Sequence, residues 1–329
     1  ANLNLKNIKS SYIISGESFS YFIEFGFTLL KDDGILRYLL PESILNVKKH
    51  YDVRTLLLQH VNLNKIKKYQ TKFAGVMSDL YMLEITNESN KNNLIFIDNT
   101  STAIPKKIFK NLKNTVITPF NQKDVEIIQK VTNKQKYTLS NSIFALGVVT
   151  GNNKDKLLDN PSENSEPIYS GKEVCKYKLL PPKKHIVFDR NNLQQVAPDS
   201  VYRAPKKLVY KTINKHIKVA LDESQTLTTN SANIIIPNIV GLDIHTIMGL
   251  LNSHLYSYLN IKLFGGVNKI AKENLQALPI PEISQKQNSD MKELVIRAMK
   301  TSDDSHLQNY VHQDIFELSE SEIKHISQY

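Results

Sequence analysis

The run Ile35-Leu36-Arg37-Tyr38-Leu39-Leu40 constrains this chain more than any other stretch. It is nearly continuous in apolar residues, with Arg37 as its one charge, and Pro41-Glu42-Ser43 ends it. Such a run predicts a strand covered on both faces, as in a mainly parallel sheet flanked by helices. Ahead of it, Phe19, Phe22, Ile23, Phe27 and Leu30 recur at helical spacing and predict an amphipathic helix. Gly34 follows the polar Lys31-Asp32-Asp33 and is expected to end that helix in the left-handed conformation, which glycine adopts without a Cβ clash.

A buried strand of this kind points to an α/β sheet, yet only 30 residues precede the turn at Lys31. That is too few for a nucleotide-binding βαβαβ unit. After the strand, the pattern predicts a helix from Tyr51 to His60 and strands from Lys65 to Gln70 and from Asp79 to Ile85. The segment "TKFAGVMS" between these strands is short enough for an antiparallel hairpin. A brief strand, Leu94 to Asp98, precedes looser polar sequence that runs to about Lys136.

From Tyr137 the texture changes to short strands and turns. "VVTGNN", "PIYSGKEV" and "NNLQQVAPDS" are turn-rich, whereas "KLVYKTI", "IKVALDE" and "ANIIIP" read as strands. A long helix is predicted from Leu242 to about Lys262, with Asp243 near its start and Gly265-Gly266 beyond its end. Within it, Leu250-Leu251-Asn252-Ser253 is expected to close the domain with its apolar face, while the polar pair bonds nearby turns. Gly151, Gly171 and Gly266 read as turn residues. "LPIPEI" must be extended, because proline forces its neighbours out of helix. The remainder, from Ser284, is polar with a helix expected at Asp290 to Met299.

A chain of 329 residues is long enough for two domains, each with its own core. No apolar run approaches the ~20 residues that span a bilayer. The single cysteine, Cys175, excludes an internal disulfide and argues against a cysteine-built zinc site, a pattern consistent with a reducing cytoplasm. Net charge is +10, and it is concentrated: Thr150 to Ala220 holds 14 Lys and Arg against 7 Asp and Glu. That stretch favours a polyanionic partner over a neutral or acidic one.

Several chemistries lack their residues. Neither G-x-G-x-x-G nor G-x-x-x-x-G-K-[ST] occurs, so no glycine turn offers itself to a nucleotide. The four-residue loop of amino-methylating DNA enzymes, a polar residue followed by two prolines and an aromatic, has its nearest text in Asn160-Pro161-Ser162, which lacks the second proline and the aromatic. The nine histidines are scattered, and no Ser-His-Asp or metal-binding constellation emerges.

"YFIEFGFTLLKDDGILRYLLPESIL", "YDVRTLLLQH" and "KFAGVMSDLYMLEI" resemble, in order, the later motifs of N6-adenine DNA methyltransferases of the gamma arrangement. "EPIYSGKEVCKY", "APKKLVYKTINKHIKVALDES", "NIIIP" and "IMGLLNSHLYSYLNIKLFGG…LQALPIP" resemble the TaqI-like specificity domain that follows them in that family. The resemblance extends to about Ile283. It implies an α/β fold: the C-terminal half of a Rossmann-like methyltransferase sheet (1–136), a mixed α+β target recognition domain (137–283) and a polar, partly helical tail (284–329). It also implies duplex DNA as partner, and S-adenosylmethionine as cofactor of the complete enzyme rather than of this chain alone. The cofactor and catalytic motifs are then expected on a missing N-terminal half or a separate subunit, and no catalytic residue is assigned here. The alternative is a specificity subunit that performs no chemistry and targets a separate methyltransferase or nuclease.

In this family an aromatic in the hairpin loop stacks on the flipped target base, a role that falls to Phe73. For phosphates, the turn residues Lys154, Lys156, Lys172, Lys183 and Lys184 are candidates. Arg190, Arg203 and Lys206 flank turns between strands, where the arginine fork suits guanine, and Tyr202 and Tyr210 interleave with them and either stack or pack.

Overall fold

Three strands, β1 (Ile35–Pro41), β2 (Asn62–Tyr69) and β3 (Leu80–Thr86), organise the first part of the chain in the computed structural model. The structure describes residues 13–14, 16–69, 73, 78–87, 94–97, 103–106, 109, 115–117, 120–264 and 268–329. Gln70 and Asp98, expected as strand ends, and Gly265-Gly266, expected as a turn, lie outside the described residues. The chain falls into two units, residues 1–126 with 262–265, and residues 127–261 with 266–329.

In unit 1, β3 runs antiparallel to both β1 and β2 and lies between them. The expected hairpin is therefore present, and its return strand separates two parallel neighbours. β4 (Leu94–Ile97) joins β2 in parallel and β5 (Ala103–Pro105) joins β4 antiparallel, giving the order β1-β3-β2-β4-β5. Burial alternates along β3, with Leu83 and Ile85 fully enclosed beside Leu63 and Ile66 of β2. That alternation is the period-two signature of the pleat.

Two expectations fail here for identifiable reasons. β1 is not covered on both faces: Ile35 is 51% exposed and Leu40 is the strand's one buried residue. Among the described residues β1 pairs on one side only, so it is an edge strand. Nor does Gly34 supply the left-handed residue. Asp33 does, at φ 57°, while Gly34 allows the turn to close, since a Cβ there would sit 2.8 Å from the Lys31 carbonyl. The amphipathic helix forms as α1 (Ser18–Thr28), with Ile23 and Ser20 buried and Phe22 left exposed beside that stripe. α2 (Ser43–Asn46) and α3 (Tyr51–Thr55) follow β1, and α3 continues as a π-helical turn to His60.

Unit 2 holds most of α4 (Gln122–Asn133) and then three small sheets. β6 (Gln135–Tyr137) pairs with the extended Ile280–Pro281, which the prolines predicted. β7 (Ile143–Ala145) is the edge of a four-stranded sheet containing β10 (Lys207–Lys211), β11 (Val219–Asp222) and β13 (Ala232–Ile236), in the order β11-β10-β13-β7. β8 (Ser165–Tyr169) lies between β9 (Lys184–Val187) and β12 (Leu227–Thr228). Val148, Ile168, Ile186, Tyr202, Leu227 and Ile234 form one core across these sheets. Two short helices, α5 (Asn153–Lys156) and α6 (Asp199–Tyr202), interrupt the strands.

The long helix is two helices, α7 (Ile244–Asn252) and α8 (His254–Phe264), broken where Ser253 turns to an extended ψ of 155°. Asp243 caps α7 as expected, accepting from the His245 amide at 2.9 Å. Tertiary hydrogen bonds account for the break. The buried Asn252 amide pairs with both backbone groups of Val219, at 2.9 and 2.8 Å, and the Ser253 hydroxyl donates back to Leu250 O. After α9 (Lys272–Ala277), the last segment builds α10 (Gln285–Thr301), α11 (Ser305–Asn309) and α12 (Glu320–Ile326). α10 starts with a reciprocal capping box at Ser284 and Gln287, and it packs on α7 at Gly249, where a Cβ would meet Val295 at 2.8 Å.

Candidate nucleic-acid interface

The basic stretch of unit 2 divides sharply once its side chains are placed. Lys184 is bound to Asp159, Arg190 to Asp199, Arg203 to Glu166 at 2.6 Å and Lys206 to Glu223 at 2.9 Å. Each must give up, or share, a carboxylate before it can hold a phosphate or a guanine. Lys154, Lys156, Lys172 and Lys183 make no ion pair among the described residues, and three of them are exposed, with Lys156 half-buried. The turns that carry them are well built. Asn152 caps α5 by accepting from the Lys154 amide, and the antiparallel bridge Leu158–His185 brings that turn alongside β9, next to Lys183. Lys172 follows Gly171, whose amide donates to Ser231 Oγ at 2.9 Å and whose missing Cβ leaves room for Ser231 O.

Tyr202 and Tyr210 correct the sequence reading. Both are fully buried, at 0% and 1% exposure, so neither ring is available to stack on a base. Tyr202 packs edge-on to Phe188 and its hydroxyl accepts from the Ala197 amide; Tyr210 meets Phe144 edge-on, and burial pushes its phenol up to about 12. Tyr210 lies on β10, where Lys207 to Tyr210 are all buried, and Tyr202 ends α6 inside the core, so lysines nearby in sequence do not bring either ring to the surface. Lys207 is also enclosed, bound to Asp222 at 2.5 Å and to Tyr202 O at 2.6 Å, with burial pulling its pKa down and Asp222 opposing that shift.

A cleft of about 950 Å³ in this unit was not anticipated. Gly147 and Val149, on the extended segment beyond β7, belong to its lining, while Val148 between them is buried in the core. Val149 exchanges two backbone hydrogen bonds with Gln195, at 2.9 and 3.1 Å, and on the other side the Asn230 amide donates to Val148 O at 3.1 Å. Gln195 and Asn230 thus flank one strand-like segment. Their carboxamides are exposed and bond to nothing among the described residues, as does that of Asn268 on the same lining. Lys269 and Lys272 stand exposed at the rim, without an ion pair among the described residues, against one lining carboxylate, Glu273. Leu146 and Ile213, 44% and 69% exposed, supply apolar edges. The sequence signal was available in "NNLQQ" and "TTNS", but nothing in spacing joins stretches more than thirty residues apart.

In unit 1, Phe73 is 48% exposed and lies parallel to Tyr69 at the end of β2, ring centroids 5.9 Å apart. The offset pair presents an aromatic surface to solvent.

Residues 166–280 match the TaqI-like C-terminal specificity domain. This domain covers β8 to β14 (Ile280–Pro281), including both flanks of the cleft. A curated relative, the Type II methyltransferase M.VspI of Vibrio sp. (strain 343), is 22% identical over 153 residues, 45% of this chain and 37% of that protein. The chain therefore spans well under two thirds of the relative it matches. Among solved structures, the Type IIL restriction-modification enzyme MmeI in complex with DNA aligns at TM-score 0.48 and 11% identity, covering 94% of this chain and 47% of that one. The Type ISP restriction-modification enzyme LlaGI in complex with a DNA substrate mimic aligns at 0.41 and 12%, covering 90% and 32%.

A methyltransferase relative brings S-adenosylmethionine into question, and the described residues of unit 1 do not fit it. Gly26 faces the Leu36 side chain at 3.1 Å and Gly34 faces the Lys31 carbonyl. Gly16 stands alone ahead of α1, where an added Cβ would meet no atom within 4 Å. These glycines form no shared cradle for a nucleoside, and no step of methyl transfer is assigned to them. Among the described residues, no helix is long and apolar enough to cross a membrane.

Proposed function

We propose that this chain reads a specific duplex DNA sequence as the recognition portion of an adenine-N6 DNA methyltransferase in a restriction-modification system. The observation that carries the reading is the specificity-domain match laid over unit 2, where unpaired lysines and free carboxamides sit on short, backbone-anchored turns. In this reading unit 1 is the closing half of the Rossmann-like catalytic sheet, and the insertion of β3 antiparallel between β1 and β2 supports it. The cofactor loop and the Pro-Pro-aromatic loop are supplied by a further N-terminal part or a separate subunit, in the cytoplasm. Phe73, exposed on Tyr69, is the stacking platform for the extruded adenine.

Lys154, Lys156, Lys172 and Lys183 are the phosphate contacts that fix register, because no described carboxylate competes for them. Arg190, Arg203, Lys184 and Lys206 hold the turns in shape through their ion pairs, and reach DNA only by exchanging partners. Selection of random duplex DNA on the purified chain across a salt series tests the function directly. One short enriched word, with affinity falling steeply as salt rises, is the expected result. Binding without enrichment, or preference for structured RNA, would overturn it.

A further inference from the structure

We infer that Gln195 and Asn230 are base-reading residues, each pairing with an adenine edge, and that Lys269 and Lys272 at the same rim hold the adjoining phosphates. The inference rests on the proposed function and names the side chains that deliver it.

The two carboxamides are exposed and have no internal hydrogen-bond partner among the described residues. A side chain amide has two donors and an acceptor, and when exposed without an internal partner it is free to exchange water for a ligand. Asn152, Asn233 and Asn252 of this unit are instead committed to caps and backbone groups. Gln195 and Asn230 find none among the described residues, although their own backbone groups are pinned on either side of Val148-Val149. Held backbones with uncommitted amides are the arrangement a reader needs: position is set before binding, and no internal hydrogen bond has to break.

Chemistry selects the ligand. Asn and Gln present donor and acceptor side by side, matching adenine N7 and N6 in the major groove, a pattern that no other base edge offers. The exposed Leu146 and Ile213 suit the methyl group of the paired or neighbouring thymine. Lys269 and Lys272 add two positive charges against the single carboxylate of Glu273, which favours a polyanion over a neutral ligand.

Geometry then sets the spacing. Two chain segments that both pair with a third lie about 10 Å apart, twice the ~4.8 Å interstrand distance. At ~3.4 Å per step on one strand, that is about three base-pair steps. The two adenine contacts are therefore expected about three positions apart in the recognised word.

The test is selection of random duplex DNA on the full chain and on three variants: Gln195→Ala, Asn230→Ala, and the double Lys269→Ala/Lys272→Ala. All substituted side chains are exposed, and matched thermal melts confirm folding. Each amide variant should lose discrimination at one A·T position, about 5- to 150-fold, and keep the rest of the word and the salt slope. The double lysine variant should keep the whole word and lose up to about 2 from the slope of log affinity against log salt. Amide variants that enrich the wild-type word undiminished would overturn the inference while leaving the proposed function standing. A wild-type chain that enriches no word would overturn both, and that outcome is visible before any variant is made.

Discussion

Lys207 shows how far a residue's role departs from its type. In a stretch rich in surface lysines it is fully enclosed, and its ammonium is the counter-charge for an Asp222 that also accepts from Ser224 and Thr226. Replacing it with methionine leaves that carboxylate buried without its cation, and Lys207→Met is expected to cost about 3–5 kcal/mol in chemical denaturation. The double change Lys207→Met/Asp222→Leu should recover most of the loss, since an apolar pair needs no compensation. His312 provides a second residue-scale test. It is buried, its ring centroid is 6.3 Å from that of His254, and Lys176 and Asp304 lie nearby. Burial foremost, with His254 and Lys176 adding, lowers its pKa from 6.5 to about 4. The folded state thus keeps His312 neutral where the unfolded chain takes up a proton. Stability from this group is intact above pH 6.5 and falls as pH drops toward 4, by about 3 kcal/mol in total. His312→Leu should flatten that part of the profile relative to wild type, read from urea midpoints between about pH 7 and pH 4.

At the scale of elements, one glycine decides where the segment lining the cleft sits. A Cβ on Gly147 would lie 2.1 Å from Thr229 O and 2.6 Å from Thr228 O, both backbone atoms with nowhere to go. The hydrogen bond from Val148 N to Thr228 O, at 2.6 Å, depends on that closeness. Gly147→Ala should destabilise the protein by about 1–3 kcal/mol and displace the segment that Gln195 and Asn230 flank. Thermal melting measures the first effect, and a blurred selected word the second. The strands of this region were legible because their apolar runs are short and bounded by turns: "KLVYKTI", "IKVALDE" and "ANIIIP" contain β10, β11 and β13. The break at Ser253 was not legible, because helical periodicity continues through it and the cause lies at Val219, more than thirty residues away in sequence. The double coverage expected of β1 failed similarly, since an apolar run records what a strand tolerates and not what packs on it.

At the scale of the molecule, charge becomes function only through its distribution. The chain carries 42 Lys and Arg against 32 Asp and Glu, yet several of the cations singled out from sequence are neutralised locally. If the four unpaired turn lysines meet phosphates, replacing Lys154, Lys156, Lys172 and Lys183 together with alanine should reduce the salt slope of DNA binding by about 3–4 and leave the preferred word unchanged. Fluorescence anisotropy over a salt series makes that measurement. By itself the sequence determined the order of elements, the concentration of positive charge and the resemblance to a specificity domain, because periodicity, turn residues and composition are local properties. Tertiary structure alone decided which lysines keep their charge free, that Tyr202 and Tyr210 are core, and that Gln195 and Asn230 share one cleft. Those outcomes depend on which distant backbone a segment pairs with, and pairing is set by the packing of the whole unit.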